Sequence, residues 1–157
     1  MPGIARPAGS KSAFGLKSGG KYTGRFVVVD ACKKSKNWKN EVNWAAKPFT
    51  PKTGLLQGPL CVKMIFQIQR PAGHYGSGKN SGQVKASANQ MPVVKPDVLK
   101  LARAVEDGMT GIIYRDDSQI VTEILAKRYV HENPGVQIEI SRASEADEIP
   151  ENLQLGI

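Results

Sequence analysis

From Leu60 to Ile68 the chain alternates. Leu60, Val62, Met64, Phe66 and Ile68 share one face, and Cys61, Lys63, Ile65 and Gln67 share the other. A period of two marks a strand with one face turned to a core. Phe26-Val-Val-Val29 is rich in β-branched residues and predicts an earlier strand. Between them, Trp38, Val42 and Ala45 recur at i, i+4 and i+7, with Lys39 and Glu41 on other faces. That spacing predicts a helix from Ser35, ended by Pro48 and Pro51. Val98, Leu101, Ala102, Val105 and Met109 form the apolar stripe of a second helix, over 98–109, and Thr110-Gly111 supplies its stop. Ile120 to Val130 reads as a long strand and Val136 to Ile140 as a short one, with Asn133-Pro-Gly135 turning between them as a hairpin. The order β, α, β, α, β, β predicts an α+β fold: one mixed β-sheet with helices packed on it, in a single domain.

The segments between these elements divide the chain further. Residues 1–23 hold Pro2, Pro7 and five glycines among lysines and serines, the composition of a flexible basic arm. The folded domain is expected over 24–142, and it contains a long connection over 70–96. Loops of that length are uncommon in compact domains unless they bind something. Residues 143–157 form an acidic tail. A length of 157 residues suits one core. No apolar run approaches the roughly 18 residues that would span a bilayer, so no membrane partner is expected. Cys32 and Cys61 are too few for a disulfide framework or a four-cysteine zinc site, which fits a reducing cytoplasm.

Charge changes the picture. Lys and Arg number 22 against 14 Asp and Glu, a net +8. Residues 1–64 carry 12 basic and 2 acidic side chains, residues 65–142 carry 10 and 8, and residues 143–157 carry none and 4. A basic N-terminal third has the electrostatics of a polyanion-binding surface, because phosphate contacts release condensed counterions. The alternative for such a surplus is solubility alone, and the tail is either a solvated end or a shield over the basic surface.

Most candidate chemistry drops out. Gly73-His-Tyr-Gly-Ser-Gly-Lys79-Asn80 nearly spells a phosphate-binding loop, but Asn80 replaces the Ser or Thr that would hold magnesium. No helix pattern follows it to aim a dipole at phosphate. A basic loop lying along a nucleic-acid backbone fits better, beside the plainer reading of a surface loop. His74 and His131 have no ligand-spaced partners, and nothing marks Cys61 as activated. The carboxylates say more. Asp97 stands at the mouth of the second helix, where an N-cap is the structural alternative. Asp116-Asp117 leads into the long strand, where an Asx turn is the alternative. Together they make an acidic spot in a basic chain, and a magnesium ion is the natural neutraliser of clustered carboxylates. A carboxylate-held metal beside a phosphate-binding surface is the apparatus of phosphodiester hydrolysis.

Lys95-Pro-Asp97-Val-Leu99-Lys100-Leu101, then Asp107, Thr110-Gly111 and Tyr114-Arg-Asp116-Asp117-Ser-Gln119-Ile120, resembles the signature of RusA-family Holliday-junction resolvases, endodeoxyribonucleases of phages and prophages. That family's pattern runs K-P-D-x-D-N-L, a helix, then x-D-D-x-Q-[VI]. The resemblance is strongest over 95–128 and looser over Thr50–Lys52, the 60–70 strand and the 136–140 strand. It implies a small α+β homodimer that binds four-way DNA junctions and makes paired nicks with Mg2+, for which Mn2+ is a possible substitute. It implies a cytoplasmic location, the host's if the protein is phage-encoded. Asp97 and Asp117 fall on the family's essential aspartates, with Asp116 adjacent. Arg103 falls on a basic helix residue suited to a phosphate or transition-state contact. Arg70, Lys79, Lys85, Lys95 and Lys100 are the expected DNA contacts.

The chain departs from the family pattern at one site position. The second acidic residue of K-P-D-x-D falls at Leu99. At about 100° per residue Leu99 lies on the flank of the apolar stripe, and Glu106, two turns or roughly 10 Å along the helix, is on the same side. Side chains lean toward the helix N-terminus, so Glu106 is a candidate substitute ligand. The expected function is a magnesium-dependent, structure-selective DNA endonuclease resolving Holliday junctions. The alternatives are a non-catalytic branched-DNA-binding protein that lost a metal ligand, and a nuclease of the same chemistry acting on flaps or hybrids.

Overall fold

The computed structural model describes residues 1–8, 11–30 and 35–144. Cys32 and residues 145–157 of the acidic tail lie outside them. The elements are β1 (Lys11–Ser18), β2 (Lys21–Asp30), α1 (Ser35–Ala46), β3 (Leu60–Gln69), α2 (Val98–Met109), β4 (Ile120–Val130) and β5 (Gly135–Arg142). The molecule is α+β. A three-stranded mixed sheet has the order β4-β3-β5, and β1 and β2 form a separate antiparallel pair.

The apolar face of β3 fixes the core. Leu60, Val62, Met64 and Phe66 are fully buried, packed with Trp38 and Val42 of α1, Leu101, Ala102, Ala104, Val105 and Met109 of α2, and Val136 of β5. The opposite face is partly covered too, with Cys61 buried and Ile65 half-buried. A strand with one face fully buried and the other partly covered takes the middle of this sheet. β4 therefore pairs with β3 in parallel and β5 pairs with β3 antiparallel. The expected hairpin between β4 and β5 does not form, because each takes one edge of β3. A parallel pair needs a crossover, and α2 provides it.

The N-terminal stretch also differs from expectation. Met1 exchanges backbone hydrogen bonds of 2.9 Å with Val136, and Gly3 N–H donates to Pro134 C=O. Ala5 and Ala8 are buried in the core, and Ala8 N–H donates to Lys100 C=O at 2.7 Å. Residues 11–30 fold as the β1–β2 pair, with Ser18 opposite Lys21. Gly19 and Gly20, at φ +59° and +81°, make the two-residue turn that suits the twist of a hairpin. These two of the glycines that suggested flexibility are turn formers. Phe26–Val29 is a strand as expected, but it belongs to this pair and not to the mixed sheet.

Candidate active site

The Asp116-Asp117-Ser118-Gln119 segment is built as a braced turn. Asp116 Oδ1 accepts from Ser118 N–H at 2.9 Å, the Asx-type bond expected of it. Hydrogen bonds from Ser118, side chain and backbone, hold the Asp116 carboxyl below its ordinary pKa. Gln119 completes the brace. Its Oε1 accepts from Arg115 and Asp116 N–H, and its Nε2 donates to Leu56 and Gly58 C=O at 3.0 and 3.2 Å. The aspartate turn is thus tied to the segment entering β3, and Asp117 is left exposed at the start of a 3-10 turn.

Asp117 faces Glu106 of α2 and Glu123 of β4 across an open cleft whose walls include Ile120 and Val121. Glu106 is half-buried, and its carboxyl is pushed up to about 8. Burial is the largest cause, followed by a hydrogen bond with Glu123 and the charges of Glu123, Asp117 and Asp107. Two carboxyls share a hydrogen bond only while one holds a proton. With both ionised, the buried Oε1 of Glu106 has no donor. Tyr114 backs the cleft, its side chain fully buried and its hydroxyl donating to Glu106 C=O at 3.2 Å. Burial first, and the Glu106 charge second, raise the Tyr114 pKa. Among the described residues no Lys or Arg forms an ion pair with Glu106, Asp117 or Glu123.

Asp97 lies elsewhere. It occupies the N-cap position of α2 without accepting a side-chain cap bond, is exposed, and faces Lys100 Nζ at 3.8 Å. Nine residues of helix separate it from Glu106, about 13 Å of rise. The strand gives the same measure. Lys127 donates to Val94 and Pro96 C=O beside Asp97, and it lies four residues, about 13 Å, along β4 from Glu123. The structure thus joins Glu106 to Asp117 and holds Asp97 at the opposite end of α2. Leu99 is 67% exposed, so it does not belong to the apolar stripe on whose flank it was placed. Leu99, Arg103 and Glu106 follow at i, i+4 and i+7 along one side of the helix, and Arg103 is exposed on that line.

Of the expected DNA contacts, Lys79, Lys95 and Lys100 are exposed. Lys85 and Arg70 are engaged within the loop, Lys85 Nζ with Gly73 C=O and the Arg70 guanidinium with Asn89 and Gln90 C=O. The stretch 73–80 is no phosphate cradle, since only a single 3-10 turn stands at Gly78–Asn80. Sequence reasoning missed Glu123 and Gln119. Glu123 shares the inward side of β4 with Leu125, because both pair with inward residues of β3, Val62 and Met64.

The donor set fits a hard divalent cation in kind: carboxylate oxygens only, one of them buried and without a donor. No three of these groups converge in ligating geometry as they stand among the described residues. Asp117 and Glu123 are exposed.

An α+β domain with a carboxylate cleft at one sheet edge and a basic surplus overall has the build of a protein acting on a polyanion. The chain belongs to the RusA endodeoxyribonuclease family, whose pattern matches residues 18–141. It is also similar to YqaN, an uncharacterized protein of Bacillus subtilis (strain 168), at 31% identity over 137 residues, covering 87% of this chain and 93% of that protein. Among the described residues no helix is long and apolar enough to cross a membrane.

Proposed function

We propose that this protein is a divalent-metal-dependent endonuclease that resolves four-way DNA junctions by paired nicks, acting as a homodimer. The observation that carries the reading is the Glu106–Asp117–Glu123 cleft in a chain of the RusA family. Glu106, Asp117 and Glu123 would hold the ion, Mg2+ or Mn2+. When bound, it supplies Lewis acidity to the scissile phosphate and offsets the mutual repulsion of the carboxylates. The chain's own residues do the positioning. Gln119 and Asp116 hold the turn that presents Asp117. Arg103, one turn before Glu106 on α2, receives the phosphate backbone as a charge-assisted donor. Lys95 and Lys100, at the far end of the same helix, meet the strand beyond the cut. Two opposed nicks in a two-fold junction require two such sites, which a two-fold dimer supplies.

The experiment is a cleavage panel on four-way junction, flap, linear duplex and RNA–DNA hybrid, with magnesium or EDTA. The expected result is paired nicking of the junction with magnesium alone. Junction binding without nicking in any metal would establish the non-catalytic alternative, and preferential cutting of flaps or hybrids would overturn the substrate.

A further inference from the structure

The stretch 70–96 contains Arg70, His74, Lys79, Lys85 and Lys95 and not one carboxylate. It is not a slack loop. Gly76 N–H donates to Gln83 C=O and Lys85 N–H to His74 C=O, both at 2.9 Å, and Tyr75 bridges Val84 in antiparallel fashion. The turn closes through Asn80 N–H to Ser77 C=O and Gln83 N–H to Asn80 C=O. Gly76 permits that closure, because a Cβ there would stand 2.6 Å from Asn80 C=O. The result is a short ribbon over residues 74–85 with Lys79 at its turn.

The root of the ribbon is anchored to the far end of the mixed sheet. The His74 ring meets the Tyr129 ring edge-on at 5.3 Å between centroids, and the Arg70 guanidinium lies over Tyr129 at 4.6 Å. The Tyr75 hydroxyl and His131 Nδ1 are 3.0 Å apart. Lys85 braces the ribbon internally through Gly73 C=O at 2.9 Å. Lys79 is different: it is exposed, and its amine has no partner among the described residues. Tyr129 lies six residues along β4 from Glu123, about 20 Å, and at about 3.4 Å per nucleotide of one strand that span is about six nucleotides.

We propose that residues 74–85 form a pinned basic finger that grips the backbone of a DNA arm beyond the cleft, its root about six nucleotides of strand from the nicked phosphate, with Lys79 as the contact and Lys85 as the brace. The inference rests on the junction-endonuclease reading and adds the position of the second hold on DNA. A phosphate at the carboxylate cleft is repelled until an ion is bound, so anchorage must come from cations set apart from it. The finger carries no carboxylate and is rooted on Tyr129 of the same strand.

The test is binding of the full chain to four-way junctions in EDTA, by fluorescence anisotropy, with single neutral methylphosphonate linkages scanned along the arms. The nicked phosphate is mapped separately with magnesium. Lys79→Ala is expected to weaken binding and to make the log affinity against log salt slope shallower by about one. One neutral linkage on the arm, set apart from the nick on the finger's side, should weaken the wild type and leave Lys79→Ala unaffected, the non-additivity of two groups in contact. Lys85→Met is expected to speed amide exchange at Gly76 and Lys85 and to reduce the Lys79 effect. An unchanged slope for Lys79→Ala, or additive losses at every linkage, overturns the finger. A protein showing the coupling without ever nicking overturns the endonuclease reading and leaves the finger standing.

Discussion

Glu106 sits half-buried between Asp117 and Glu123, and its proton affinity follows from that position. Its carboxyl is raised from 4.5 to about 8, so in this window the folded state binds more protons than the unfolded chain. Below about 4.5 both states are protonated and the group is neutral to folding. Above about 8 both are ionised, and the folded state carries the full penalty of burial and repulsion. Stability in EDTA should therefore fall as pH rises between those values, and Glu106→Gln should remove that part of the fall. Thermal melts of both proteins across the window test this. The wild type should lose melting temperature relative to the variant as pH rises, and parallel curves would contradict it. Leu99 allows a second prediction at the same scale. It is 67% exposed in the first turn of α2, where no acidic residue stands. Leu99→Asp should then raise stability by about 0.3–1 kcal/mol through the helix dipole. A loss of about 2 kcal/mol or more in denaturant melts would mean that Leu99 makes apolar contacts the structure does not contain.

Among the elements, the braced turn before β4 carries the most weight. Gln119 makes four hydrogen bonds, two to Leu56 and Gly58 across a gap of more than sixty residues in sequence. Gln119→Met removes all four, of which the bond to Leu56 C=O is partly buried, and should cost about 1–3 kcal/mol. The urea midpoint reads it, and an unchanged midpoint would show that the turn holds without its glutamine. The periodicities of β3 and α2 were legible because each has a one-sided apolar stripe, and their predicted spans, 60–68 and 98–109, agree with the strand Leu60–Gln69 and the helix Val98–Met109. β4 was legible as a strand but not in its facing. Its two sides, Val121-Glu123-Leu125-Lys127 and Ile120-Thr122-Ile124-Ala126, are both mixtures of apolar and polar residues. For that reason Glu123 could not be assigned to the cleft. The hairpin expectation failed for a related reason. Asn133-Pro-Gly135 reads as a turn in any context, whereas strand order depends on β4 and β5 each taking one edge of β3, which local periodicity does not encode. The distance between Asp97 and Asp117 was beyond a linear reading, because it depends on the direction in which α2 crosses β4.

Over the whole molecule, the carboxylate cleft and a group of cations stand at opposite ends of β4. Glu106, Asp117 and Glu123 gather at the start of β4, while Lys127, Arg128 and the carboxylate-free stretch 70–96 gather at its end. A nuclease needs both poles: cations to hold the phosphate chain and carboxylates to hold the ion that acts on it. The two functions should then come apart by mutation at a single residue. Asp117→Asn keeps the shape of the braced turn, removes one donor from the cleft and relieves its repulsion of DNA. The decisive measurement is the junction nicking rate with magnesium for Asp117→Asn and the wild type, beside junction affinity for both in EDTA. The account predicts a loss of nicking by orders of magnitude with affinity unchanged or tighter. A variant that nicks at the wild-type rate would contradict the assignment of the carboxylate cleft as the place where DNA is cut.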